Sequence, residues 1–218
     1  LVRRAWMSAA GALGRPEAVG TLADIVVDPS STREDVVAAV TALADLSGPA
    51  VLPALRPALA SPDPDVRAFA AWGIGIVSSA YVAWNAQVAD ADPEFRKTEE
   101  AIAEALPRIG MGPMCAYLRT FHEIADVRLT RALIEVARSP AFAERCVRVE
   151  RPAWFGRREV VSGDEEVADL VVAAMAVVAV GNDELAAFLQ KAAQDPALSE
   201  SRRTQFQRLL ADSRTAGK

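Results

Sequence analysis

Apolar residues recur at helical spacing along most of this chain. Val66, Phe69, Ala70, Gly73, Ile74 and Val77 follow the i, i+3, i+4, i+7 rule, which predicts a helix with one buried face. Val19, Leu22 and Val26 form a second stripe of this kind, and Leu52, Leu55 and Leu59 a third. Between the stripes stand Pro29, Pro62 with Pro64, Pro93, Pro140 and Pro196, each able to begin a helix but not to continue one. Stripes and breaks alternate, so the chain reads as successive helices.

A longer period lies above the helical one. An acid followed by apolar residues, often with an arginine, recurs as Asp35-Val36-Val37, Asp65-Val66-Arg67, Glu94-Phe95-Arg96, Asp126-Val127-Arg128, Glu166-Val167-Ala168 and Glu200-Ser201-Arg202. The intervals between the opening acids are 30, 29, 32, 40 and 34 residues, a helical-hairpin period with one long member. Each acid is expected near the N-terminus of a unit's first helix, where it complements the dipole and caps free N–H groups. In the long interval, helices over roughly 126–139 and 140–149 leave a non-periodic connector at 150–163, Glu-Arg-Pro-Ala-Trp-Phe-Gly-Arg-Arg-Glu-Val-Val-Ser-Gly. Insertions in a repeat array emerge on one face, often the one that is used.

The run Asp65-Val66-Arg67-Ala68-Phe69-Ala70-Ala71-Trp72-Gly73-Ile74-Gly75 resembles the HEAT-like repeat of the phycobilisome-lyase type. Ala9 to Val19 is similar to that family's Ala-Leu-Gly helix end and the turn after it, and the likeness covers residues 1–76 and stays in register beyond them. The resemblance implies an all-α fold, a right-handed α-α superhelix of about six helical hairpins, with residues 1–218 as a single solenoid. First helices would be convex and second helices concave. It also implies a structural ladder between neighbouring units that would employ Asp65, Arg67, Asp126 and Arg128. Two activities come with it by fold analogy alone: nucleic-acid binding, as in a DNA-glycosylase family built from such repeats, and partner work in chromophore attachment.

Composition narrows the functional classes. Aromatics are only 6% of a chain that is 51% hydrophobic, which suits thin, closely packed helices. A net charge of −5 and no long basic stripe make nucleic acid the lesser expectation. The most apolar stretch, residues 168–180, is too short to span a bilayer, so no membrane span is expected. The sequence begins with Leu1, which reads as a piece of a longer chain. Cys115 and Cys146 fall 21 and 20 residues after their opening acids, matching places on second helices of adjacent units. Helix axes stand about 8–10 Å apart, so the expectation is two buried free thiols and a cytoplasmic setting. His122, beside Glu123, is the one histidine, which leaves neither a metal ligand set nor a catalytic triad; no cofactor, metal or catalytic residue is assigned.

Charge is uneven. Residues 1–118 carry 9 basic and 14 acidic side chains, residues 119–160 carry 9 and 6, and residues 161–218 carry 6 and 9. Arg138, Arg145, Arg148, Arg151, Arg157 and Arg158 surround the connector, and Trp154 and Phe155 stand within it. Trp and Arg are frequent interface anchors. Arg145, Arg148, Arg151, Trp154, Phe155, Arg157 and Arg158 are therefore the candidate partner-binding residues of a non-catalytic protein-interaction scaffold with an acidic protein partner. Alternatively, Trp154 and Phe155 fold down as a structural plug. Trp6, Trp72 and Trp84 lie in helical stripes and are expected in the core.

Overall fold

The computed structural model describes residues 2–121, 127–150 and 160–216. It is mostly helical, as the stripes predict, with eleven α-helices among the described residues. These are α1 (Val2–Ala12), α2 (Val19–Val27), α3 (Arg33–Leu46), α4 (Leu52–Leu55, continued by a 3-10 turn over Arg56–Ala60), α5 (Pro64–Ala91) and α6 (Pro93–Ala105). Then follow α7 (Met111–Leu118), α8 (Thr130–Arg138), α9 (Val167–Val178), α10 (Asp183–Ala192) and α11 (Glu200–Ala216). A two-stranded antiparallel ribbon, β1 (Val149–Glu150) with β2 (Val160–Ser162), stands between α8 and α9.

Each helix packs on the next but one. The odd-numbered helices touch in the order α1, α3, α5, α7, α9, α11, and the even-numbered ones in the order α2, α4, α6, α8, α10. Small residues set the spacing of the first row. A Cβ added at Gly11 of α1 would lie 3.0 Å from the Ala42 backbone of α3, and one at Gly73 of α5 would lie 2.9 Å from the Ala44 Cβ. The alanine-rich composition thus becomes close backbone approach. Leu52, Leu55 and Leu59 are buried, as are Val66, Phe69, Ala70, Gly73, Ile74 and Val77.

The recurring acid marks helix N-termini, but not always first helices. Asp35 and Asp65 lie in the first turns of α3 and α5, whereas Glu94 opens α6, an even-numbered helix. The cause is α5, whose 28 residues shift the next start into the other row. The cap side chains themselves come slightly earlier. Thr32, Asp63 and Asp92 accept the free N–H groups, leaving Asp65 and Glu94 to complement the dipole.

Two core assignments are corrected. Trp72 is partly buried, but Trp84 is 73% exposed and Trp6 44% exposed. At Asn85 the backbone leaves the helical region (φ −163°, ψ 98°), and the Asn85 side chain accepts from the N–H groups of Gln87 and Val88 to restart the helix. The apolar stripe therefore loses its register at Trp84, whose ring stacks on Tyr81 with centroids 6.2 Å apart. Trp6 lies off the face on which Met7, Ala10 and Gly11 are buried. Helix α5 is long and apolar enough to cross a membrane, and 61% of its apolar window is buried inside the protein.

Candidate partner-binding connector

The connector is built on a segment that was expected to be helical. Residues 140–149 do not form the second helix of a hairpin: a 3-10 turn over Pro140–Ala143 is followed by extended chain. From Cys146 to Val149 burial alternates loosely, with Cys146 and Val149 inward and Val147 and Arg148 outward. The valines suit an extended backbone because their branched side chains are stiff at χ1.

Extended chain also changes the cysteine chemistry. The Cys115 and Cys146 sulfurs are bonded, with Cα atoms 6.0 Å apart, so the expectation of two free thiols is overturned. A strand-like segment lying on α7 comes closer than a second helix could, which brings Cys146 within bonding distance. The cytoplasmic setting that was drawn from free thiols no longer follows from them.

Around this bond the base of the connector is tied in several ways. Val149 pairs with Ser162 and Glu150 with Val160, with an irregular register between them. The Ser162 hydroxyl donates to the Val147 carbonyl at 2.7 Å. Cys146 N–H donates to the Glu165 carbonyl, and Val167 N–H to that of Glu144. Arg119, just past α7, donates to the Val160 carbonyl at 2.9 Å and pairs with Glu165 at 3.1 Å. One end of each strand is thereby fixed to α7, by the disulfide on the β1 side and by Arg119 on the β2 side.

Two of the candidate binding residues belong to this base, and the charge of one is used locally. Arg148 donates to the Glu150 carboxylate at 2.6 Å and lies 3.7 Å from Asp164. The hydrogen bond to Glu150, and then its charge, hold the Arg148 pKa above the ordinary arginine value. Arg145 donates to the Asp164 carbonyl. Both arginines are exposed; the Arg148 charge is offset by Glu150 and Asp164, whereas the carbonyl that Arg145 reaches leaves its charge in place. Arg151, Trp154, Phe155, Arg157 and Arg158 lie outside the described residues, as do His122, Glu123 and Asp126.

Sequence reasoning missed Arg119, Glu165 and the disulfide because it placed a helix over residues 140–149. It also missed Glu99, a fully buried carboxylate that accepts from the Ser78 hydroxyl at 2.7 Å and the Tyr117 hydroxyl at 2.9 Å. A signal for Glu99 existed: it falls four residues after Phe95 and three before Ile102, on the buried stripe of α6. Among the described residues no group of three or more His, Cys, Asp or Glu side chains is placed to hold a metal ion.

Several arginines elsewhere are paired with carboxylates. Arg4 reaches Asp35 at 2.9 Å, Arg33 reaches Asp63 and Asp65, and Arg56 reaches Glu94 at 2.9 Å. Arg128 reaches Asp90 at 3.4 Å, while Arg202 pairs with both Glu166 and Asp169. Arg67, expected to face a carboxylate, instead donates to the carbonyls of Ser61, Pro62 and Ile109 and closes the turn ahead of α7. The ladder therefore runs largely through other arginines than Arg67.

With the ribbon and its anchors described, comparison adds no relative: no protein-family model matches the chain, and no curated protein shows significant similarity to it.

Proposed function

We propose that this chain is a non-catalytic protein-interaction module, a HEAT-like right-handed solenoid of about six helical hairpins, whose recognition element is the connector at 150–163. The observation that carries the reading is the anchored ribbon. A loop that leaves and returns through paired strands, with one strand tied to α7 by a disulfide and the other by Arg119, is mounted on a rigid base. Rigid mounting lowers the entropy that binding must overcome. The order of helix contacts and the arginine–carboxylate pairs at sequence separations of 31 to 38 residues support the repeat part of the reading. Trp154 and Phe155 would anchor the partner, and Arg151, Arg157 and Arg158 would steer it. Arg148 takes a lesser part, being paired with Glu150, while Arg145 is held only by the Asp164 carbonyl just past the connector.

The test is binding kinetics against a partner identified by co-purification from the native host. Trp154→Ala should speed dissociation, and Arg157→Glu with Arg158→Glu should slow association, the fold surviving both. Affinity should fall only gently with salt. A steep linear fall on log–log axes would point to a phosphate backbone instead. A Trp154→Ala protein that melts earlier yet binds as before would make the connector a plug.

A further inference from the structure

Arg67 is the arginine that the repeat motif would set against a carboxylate, and among the described residues it meets none. Its Nε donates to the Ile109 carbonyl at 3.0 Å, and its Nη1 to the carbonyls of Ser61 and Pro62 at 2.7 and 3.0 Å. Carbonyl acceptors fix the plane of a guanidinium without cancelling its charge. The remaining nitrogen, Nη2, has no acceptor among the described residues. It stands beside Gly110, whose missing side chain leaves it uncovered: a Cβ there would lie 3.5 Å from Nη2. A half-buried cation held rigidly and left with a free donor is completed by a ligand oxygen.

Arg67 lines a cleft of about 650 Å³ between the turn after α4 and the second half of α6. Small-molecule sites run from roughly 300 to 1,000 Å³. Arg56 and Arg108 line the same cleft. Arg108 has no ion pair among the described residues. Arg56 reaches Glu94 at 2.9 Å, but Lys97 shares that carboxylate at 2.7 Å. Among the described residues Glu104 is the one acid in the lining. Three arginines and Lys97 against Glu94 and Glu104 leave an excess of two positive charges, in a chain whose net charge is −5. The next acids along the chain, Asp63 and Asp65, are engaged by Arg33. Ser61 adds a neutral donor, since its hydroxyl accepts from the Asp63 N–H at 3.2 Å and keeps its own proton to give.

These donors select the ligand. Arg67 comes from α5, Arg56 and Ser61 from the chain between α4 and α5, and Arg108 from just past α6. A tetrahedral oxyanion with three terminal oxygens takes bonds from several directions, whereas a carboxylate takes them near one plane. A phosphate dianion also matches the excess of two. Beside the arginines, Leu59, Ala101, Ala105 and Ile109 make one side of the cleft apolar, a place for an organic group on the phosphate.

We propose that this cleft binds a small organic phosphate monoester, its phosphate on Arg67, Arg108 and Arg56 and its organic part over Ala101 and Ala105. The site is independent of the connector and of what the connector binds.

Isothermal titration calorimetry of the intact chain with phenyl phosphate tests it, at about pH 7.5, where such an ester is largely a dianion. One-to-one binding with a dissociation constant of about 1 mM or tighter is expected. Inorganic phosphate, without the ring, should bind at least about fivefold more weakly, and benzoate at least about tenfold. Arg108→Ala, at an exposed position, should keep the wild-type melting temperature and weaken phenyl phosphate about tenfold or more. Ala101→Glu leaves all three arginines in place, sets a carboxylate on the apolar side and should abolish binding. Arg67→Gln should weaken it as much as Arg108→Ala; if that variant fails to fold, the other two decide. Arg96→Ala, exposed on α6 and outside the cleft, should change nothing. No binding up to roughly 10 mM overturns the proposal, as does an affinity unchanged in Arg108→Ala or lost equally in Arg96→Ala. Inorganic phosphate or benzoate matching phenyl phosphate overturns it too. So does a single-stranded oligothymidylate that binds more tightly and depends on Arg108, which would make the cleft a track for a nucleic-acid backbone.

Discussion

The first hairpins and the connector solve the same packing problem by different means. From α1 to α5, helices are held by backbone approach through glycine and alanine, as at Gly11 on Ala42 and Gly73 on Ala44, with a continuous apolar core beneath. Between α8 and α9 the described residues form no second helix of a hairpin, and a disulfide, a short ladder and Arg119 hold them in place. Helix packing is distributed over many weak contacts, so damage to one position spreads. Cross-linking is concentrated, so damage should stay local.

The largest test of that contrast is Leu55→Asp. Leu55 is fully buried and abuts α5 at Gly73. An unpaired carboxylate there should cost several kcal/mol, on the order of 3–5, and lower the melting temperature of the whole chain. An unchanged melting temperature would break the distributed half of the contrast.

Next comes Cys115→Ser with Cys146→Ser. The bond closes a separation of 31 residues, for which chain entropy gives about 3–4 kcal/mol at most. Hydrogen exchange should rise first at Val149, Val160 and Ser162, with little change in α3. Equal acceleration in α3 would show that the two regions unfold together.

Gly75→Ala probes the junction between them. An added Cβ would meet the Thr120 Oγ1 at 1.7 Å and its Cβ at 2.9 Å, so α5 and α7 must move apart. The expected loss is about 1–3 kcal/mol, partly recovered by Thr120→Gly. A neutral Gly75→Ala would mean that this contact yields freely.

The ladder should contribute least. Arg4→Ala should cost roughly 1 kcal/mol or less, since the Arg4–Asp35 pair is only partly shielded from water. The hydrogen bond from Arg4 holds the Asp35 carboxyl below its usual range. At Asp63 burial pushes upward, but the hydrogen bonds from Arg33 and from the Asp65 and Val66 N–H groups outweigh it. Carboxyls lowered by folding stabilise the native state above their unfolded pKa, and that contribution disappears as pH falls through the folded value. Thermal stability should therefore decline on acidification below about pH 4, and less steeply in Arg4→Ala.

How legible the molecule was follows the same division. Where burial came from helical stripes, as at Leu52, Leu55 and Leu59 or from Val66 to Val77, spacing alone located the core. The stripe rule failed where the backbone changed state. Asn85 capped a new helical segment and left Trp84 in solvent, and Glu144 to Val149 ran extended although proline and spacing favoured a helix. The candidate site was located as a break in period, but its disulfide was hidden because a wrong helix placed the cysteines too far apart. Glu99 stayed hidden because no apolar stripe was traced through α6, where its place between Phe95 and Ile102 argues for burial.

The polar face of α11 bears on how far assembly can run. A head-to-tail contact between unlike ends of an array repeats without limit and gives filaments, whereas like-to-like contact closes at two. The exposed Gln207, Arg208, Asp212 and Arg214 meet water without cost and offer no apolar stripe to such a contact, unlike the stripes buried between the inner helices.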